Sequence, residues 1–168
     1  MAHHPQASDP GPSDPSPDEH SGPGSTSPAR AHAPAALRIA EGSGLHRRLE
    51  RIGAEFLADF LEVALRHRPD DVDVLGELGL VYTRLGRYSD GLAVDRRLVR
   101  LAPENPTAHY NLACSLALCG ESAAALDALE AAVGFGYDDG PHLAADEDLA
   151  SLRPQARFAR LLEQLGGS

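Results

Sequence analysis

The sequence predicts an all-α chain: a solenoid of stacked helical hairpins, about six helices in all, behind a disordered N-terminal tail. Three observations carry this. Helix-period apolar patterns recur with an offset of 34 residues. Glycine, proline and capping residues punctuate both copies at matching places. Residues 1–36 contain no Leu, Ile, Val, Phe or Tyr.

The tail comes first. Residues 1–36 hold eight of the 13 prolines, with six serines and four histidines. Such a stretch buries too little apolar surface to offset its ordering entropy. The expected division is a disordered Pro/Ser/Asp/His-rich tail over 1–40 and a helical domain over 45–168.

The repeats follow at 72–105 and 106–139. Superposed, Leu78 meets Leu112, Gly79 meets Ala113, Tyr82 meets Leu116, Gly86 meets Gly120, Gly91 meets Ala125, Leu92 meets Leu126 and Val99 meets Val133. Pro69 and Pro103 keep the same offset. Each repeat splits at a glycine. Asp70 or Asp71 caps the first helix, Gly86 suits the left-handed position after it, and Ser89 is expected to cap the second, which Pro103 ends. Asn105 caps the next helix with Pro106 at its first position, Gly120 closes it, Ser122 opens its partner and Gly134 closes the pair.

These residues resemble the tetratricopeptide repeat (TPR) family, whose first helix carries an apolar residue, Leu, a small residue and an aromatic at fixed spacing. Residues 72–105 match through Leu75, Leu78, Gly79, Tyr82, Gly91 and Pro103, departing at Asp95, where the family has an aromatic, and at Leu98. Residues 106–139 match through Leu112, Ala113, Ala125 and Ala132, with Leu116 and Leu129 in place of aromatics. Capping helices are expected at 49–67 and 146–165. The first stands without a partner helix because Gly42 and Gly44 precede it. The second end resembles the terminal module of bacterial TPR arrays: a loop, a short helix near Asp148–Leu152, and a helix from Pro154 to Leu165.

Composition narrows the chemistry. All 15 basic residues are arginine, which excludes pyridoxal-phosphate, Schiff-base and P-loop chemistry, each of which uses a lysine amine. The net charge of −10 argues against nucleic acid and anionic membranes as partners. With no membrane-length apolar run and no signal pattern, a cytoplasmic location is expected. The lysine-free, Ala-, Arg- and Gly-rich composition suggests a GC-rich bacterial genome.

The stretch "HYNLACSLALCG" (109–120) holds both cysteines. Five helical residues turn by about 500°, leaving Cys114 and Cys119 roughly 140° apart, unsuited to a disulfide or a shared metal. They are read as small hydrophobes, with a lone reactive thiol at Cys114 as the lesser alternative. Asp138, Asp139, Asp146, Glu147 and Asp148 lack the alternating spacing of a calcium loop and read as loop and cap residues. No nucleophile–base motif appears, so no enzyme, cofactor or metal is expected.

The resemblance implies a concave groove lined by the first helix of each repeat. Carried onto this chain, the candidate contacts are Asp73, Glu77, Leu80 and Arg84 in the first repeat and Tyr110, Asn111 and Cys114 in the second. Gly76, Thr83, Thr107, Ala117 and Leu118 fall on the same face. The carboxylate clamp of the best-known TPR subclass is absent: only Asn111 corresponds. The expected function is non-catalytic binding of a protein or peptide segment, amphipathic and weakly basic. The alternative is homo-oligomerisation, since two full repeats fall short of the roughly three that an array needs; a thiol or metal protein is the third.

Overall fold

The computed structural model describes residues 43–166. The tail expected over 1–40 lies outside them. All regular structure among the described residues is helical: α1 (Gly44–His67), α2 (Val72–Arg84), α3 (Tyr88–Leu101), α4 (Pro106–Leu118), α5 (Ser122–Gly134), α6 (Gly140–Ala145), a 3-10 helix (Glu147–Leu152) and α7 (Ala156–Gly166). None is long and apolar enough to cross a membrane.

Local chemistry sets the helix starts. The Asp71 carboxylate accepts from the Val74 N–H at 3.2 Å, and the Asn105 side chain accepts from Thr107 and Ala108 N–H at 2.9 and 3.3 Å. These satisfy donors that the first turn leaves orphaned. Ser43 does the same for His46 at 3.1 Å. That cap starts α1 at Gly44, five residues before the expected 49, with the glycine tolerated in the first turn.

The hairpin turns share one geometry. Gly86 has φ 71°; its N–H donates to Thr83 O (2.9 Å), and the Arg87 N–H donates to Tyr82 O (2.8 Å). Gly120 repeats this with Ala117 and Leu116, at φ 80°. Both are Schellman motifs, which need the left-handed residue. Here the structure corrects two expectations. Ser89 and Ser122 do not cap, because the turn places Arg87 and Glu121 at the N-cap, without side-chain bonds, and starts each helix one residue later. Gly134 remains helical, and Gly136, at φ 103°, is the left-handed closer of α5. Gly86→Ala and Gly120→Ala are therefore expected to cost about 1 kcal/mol each in urea unfolding, and Gly134→Ala to stabilise by about 0.5 kcal/mol. Equal effects at all three positions would contradict these turns.

The helices stack in chain order, with α2 against α3, α3 against α4 and α4 against α5. The first helices of the two hairpins, α2 and α4, also touch, which makes one face of the array. Leu75, Leu98 and Ala108 seal the junction between hairpins. Small residues permit the approach. A Cβ on Gly91 would meet Ser115 Oγ at 3.4 Å and Gly79 O at 3.5 Å. The largest apolar cluster joins α4 and α5 to the C-terminal module through Leu143, Leu149, Leu152, Phe158 and Leu161.

That module differs from expectation. Residues 140–145, expected as loop, form α6, capped by Asp139 and opened by Pro141. The final helix begins at Ala156 rather than Pro154, because residues 153–155 turn off the 3-10 helix through Gln155 N–H to Leu152 O at 2.9 Å.

Candidate functional site

The face built by α2 and α4 is where the predicted contact residues fall. On α2, Asp73, Glu77, Leu80 and Arg84 are exposed, Leu80 at 44%. Their spacing of three to four residues lines them along one side of the helix. On α4 the C-terminal module has folded back over the same face. Asp146, at the start of the 3-10 helix, lies against Tyr110 and Cys114.

Three placements follow. Tyr110 is buried, donates its hydroxyl to Asp146 Oδ2, and stacks on Tyr137 with ring centroids 4.6 Å apart and planes 4° from parallel. Burial, first, and the Asp146 carboxylate push its ionisation far above the ordinary tyrosine range. Tyr110 thus belongs to the internal packing of the module rather than to a surface open to a partner. Cys114 is buried too, its Sγ 3.6 Å from Asp146 Oδ2, and burial and Asp146 raise its thiol well above the ordinary value. The thiolate form needed for reactivity is disfavoured there. Asn111 stays half-exposed between the two helices.

Sequence reasoning placed Asp146 as a loop or cap residue and missed its second role. One oxygen caps the 3-10 helix by accepting from Asp148 N–H at 2.9 Å; the other takes Tyr110 and Cys114. Only the capping half has a local signal, an aspartate before a short apolar run. Its partner Tyr110 lies 36 residues earlier.

The result is a small recess of about 50 Å³ lined by Gly79, Leu80, Thr83, Asn111, Asp146 and Asp148, among others. Its rim is acidic: burial and the neighbouring Asp146 raise the Asp148 carboxyl above its ordinary value. Asp95 of α3 closes the floor. It is 2% exposed, and its Oδ2 accepts from Ser115 Oγ at 2.6 Å. Its Oδ1 has no hydrogen-bond partner among the described residues and lies against Gly79, where a Cβ would come within 2.5 Å.

Cys114, Asp146 and Asp148 bring ligand-type atoms within 4.8 Å of one another. Asp146 already spends both oxygens on Tyr110, Cys114 and the Asp148 N–H. His109 is not among them. Its Nε2 lies 2.8 Å from Pro103 O, and its ring stacks on Phe135 at 5.1 Å. Both cysteines are free thiols.

Two overlapping stretches, residues 57–106 and 77–141, match the sequence model of the family described as tetratricopeptide repeat. Over 93 residues, 54% of this chain, the sequence is 33% identical to a chloroplastic protein from Arabidopsis thaliana. The alignment covers 28% of that relative's length. Paired helices joined by left-handed glycines, a 34-residue period and these matches lead to one conclusion: the chain belongs to the tetratricopeptide repeat family.

Proposed function

We propose that this protein is a non-catalytic scaffold whose α2 side of the concave face, with Asn111 of α4, holds a segment of a protein partner. The observation that carries this is the recess between α2, α4 and the 3-10 helix. It sets the apolar Leu80 beside Asn111, an amide able to bond an extended backbone through both edges, and beside the carboxylates of Asp146 and Asp148. Asp73 and Glu77 extend the negative rim along α2. A segment with an apolar anchor flanked by basic residues complements this surface. Family membership supports the scaffold role, and a buried, poorly ionising thiol at Cys114 argues against thiol chemistry as the purpose of the face.

The test is affinity capture from source-cell lysate, comparing wild type with a Glu77→Ala/Leu80→Ala/Asn111→Ala variant. These side chains are exposed or half-exposed, so the variant is expected to keep its helical circular dichroism and most of its stability. Partners should be lost from the variant and regain binding as salt is lowered. Partners held equally by both proteins would refute the groove reading.

A further inference from the structure

Helix α1 carries an apolar stripe that the other described helices leave uncovered. Leu45, Leu49, Ile52, Phe56, Phe60 and Val63 are all exposed, Phe56 at 73% and Phe60 at 59%. At about 100° per residue they fall on one narrow strip, opposite the strip of Ala58 and Leu61 that packs on α2. Singly exposed apolar residues are ordinary; six in line on one helix mark an interaction surface. The spacing of four, three and four residues from Leu45 to Phe56 is that of a coiled-coil seam.

We propose that this seam pairs α1 with α1 of a second copy, antiparallel, about a two-fold axis near Ala54. This surface is separate from the concave face and does not depend on it. Two features select a second copy. The stripe is close to its own mirror image. Turned end for end about residue 54, Leu45 meets Val63 and Ile52 meets Phe56, while Leu49 and Phe60 fall one residue out of step with each other. The charge pattern is complementary in the same way. Arg48 and Arg51 flank the N-terminal half of the stripe, while Glu55 and Asp59 flank the C-terminal half. Antiparallel pairing sets Arg48 of one copy beside Asp59 of the other, twice by symmetry. Asp59 is the one acidic residue that interrupts the seam, and this pairing gives it a cationic neighbour. Gly53, mid-helix with nothing within 4 Å of where a Cβ would stand, lies beside the axis and lets the helices approach closely there.

The test uses the full chain. Sedimentation equilibrium from micromolar to sub-millimolar concentration should report twice the 17.8 kDa of the chain. Ile52→Glu/Phe56→Glu, on a surface the monomer leaves open, should keep its helical circular dichroism and weaken association more than about a hundredfold. Arg48→Glu and Asp59→Arg should each weaken the dimer, and the two together should restore it. In a Cys119→Ser background, a thiol cross-linker spanning about 10 Å should join Glu55→Cys and not Leu45→Cys, whose equivalents stand about 27 Å apart in the antiparallel pair. A monomer throughout the concentration range, as when another segment of the same chain covers the stripe, would overturn the proposal. So would equal cross-linking at both positions, or no rescue by the double charge swap.

Discussion

Phe158→Ala is expected to destabilise the protein by about 3–5 kcal/mol, a large share of the 5–15 kcal/mol typical of a domain. Phe158 is 2% exposed and sits in the largest apolar cluster with Leu143, Leu149, Leu152 and Leu161. Removing its ring leaves a cavity where α7 meets the rest of the module, and α7 has few other holds. Outside that cluster it is tied to α5 by Arg157, which bonds Asp127 at 2.7 Å and Glu130 at 2.9 Å on exposed surface. Exposed pairs of this kind contribute little. Because a repeat array is stabilised by nearest neighbours, the loss should fall first on residues 140–166 and only then on the hairpins. Urea unfolding followed by far-ultraviolet circular dichroism should show an early partial transition, and limited proteolysis should begin in the module. The consequence for the face built by α2 and α4 is direct. Asp146 would no longer be held over Tyr110 and Cys114, so thiol reagents should label Cys114 faster than in wild type. A single unshifted transition, with Cys114 still inert, would contradict this role for Phe158.

The hairpins were legible because their determinants are local. Gly86 and Gly120 meet a stereochemical demand that few other residues satisfy, and Asp71 and Asn105 cap through their own side chains. Ser89 and Ser122 look equally suited to capping and do not cap. The Schellman turn before each fixes the entry earlier, two residues before Ser89 and one before Ser122, and the N–H groups of Arg87 and Glu121 point back to Tyr82 and Leu116. A helix of six residues such as α6 is too short to show a period, so it stayed hidden.

The candidate site was legible only along α2. Asp73, Glu77, Leu80 and Arg84 needed one helical period to be placed on one face, and they stand exposed there. On α4 the same rule put Tyr110, Asn111 and Cys114 together but could not show what lay over them. The cover is a single carboxylate returning from Asp146, a contact set by the packing of Leu149 and Leu152 rather than by any local pattern. For α1 the sequence supports a capping helix, but only the fold shows that half its apolar residues turn away from α2.

Asp95→Asn is expected to stabilise the protein at neutral pH, by up to about 3 kcal/mol. Burial lifts the Asp95 carboxyl from 3.8 to about 6, opposed in part by the hydrogen bond from Ser115. The folded protein therefore binds this proton more tightly than the unfolded chain. Below the unfolded value both states are protonated and nothing is lost. Between about 4 and 6 the unfolded chain ionises first and stability falls as pH rises. Above about 6 the cost is constant, roughly 1.4 kcal/mol for each of about two units. Asparagine is near-isosteric and can keep an acceptor toward Ser115 Oγ, so it removes the charge without opening a cavity. The difference in unfolding free energy between the two proteins should vanish near pH 4, grow to pH 6 and then stay level, while pH effects shared by both cancel. A less stable asparagine variant at pH 7 would mean that a cation holds the carboxylate, and would sink the argument. Gly79→Ala probes the same contact from the other side. Mid-helix, this change ordinarily stabilises by about 0.5–1 kcal/mol. Here its Cβ would stand 2.5 Å from Asp95 Oδ1, so a loss of about 1–3 kcal/mol is expected instead. Adding Asp95→Ser should recover much of that loss. The coupling between these two positions would place the strain at the floor of the recess, where this chain carries a carboxylate and the repeat pattern an aromatic ring.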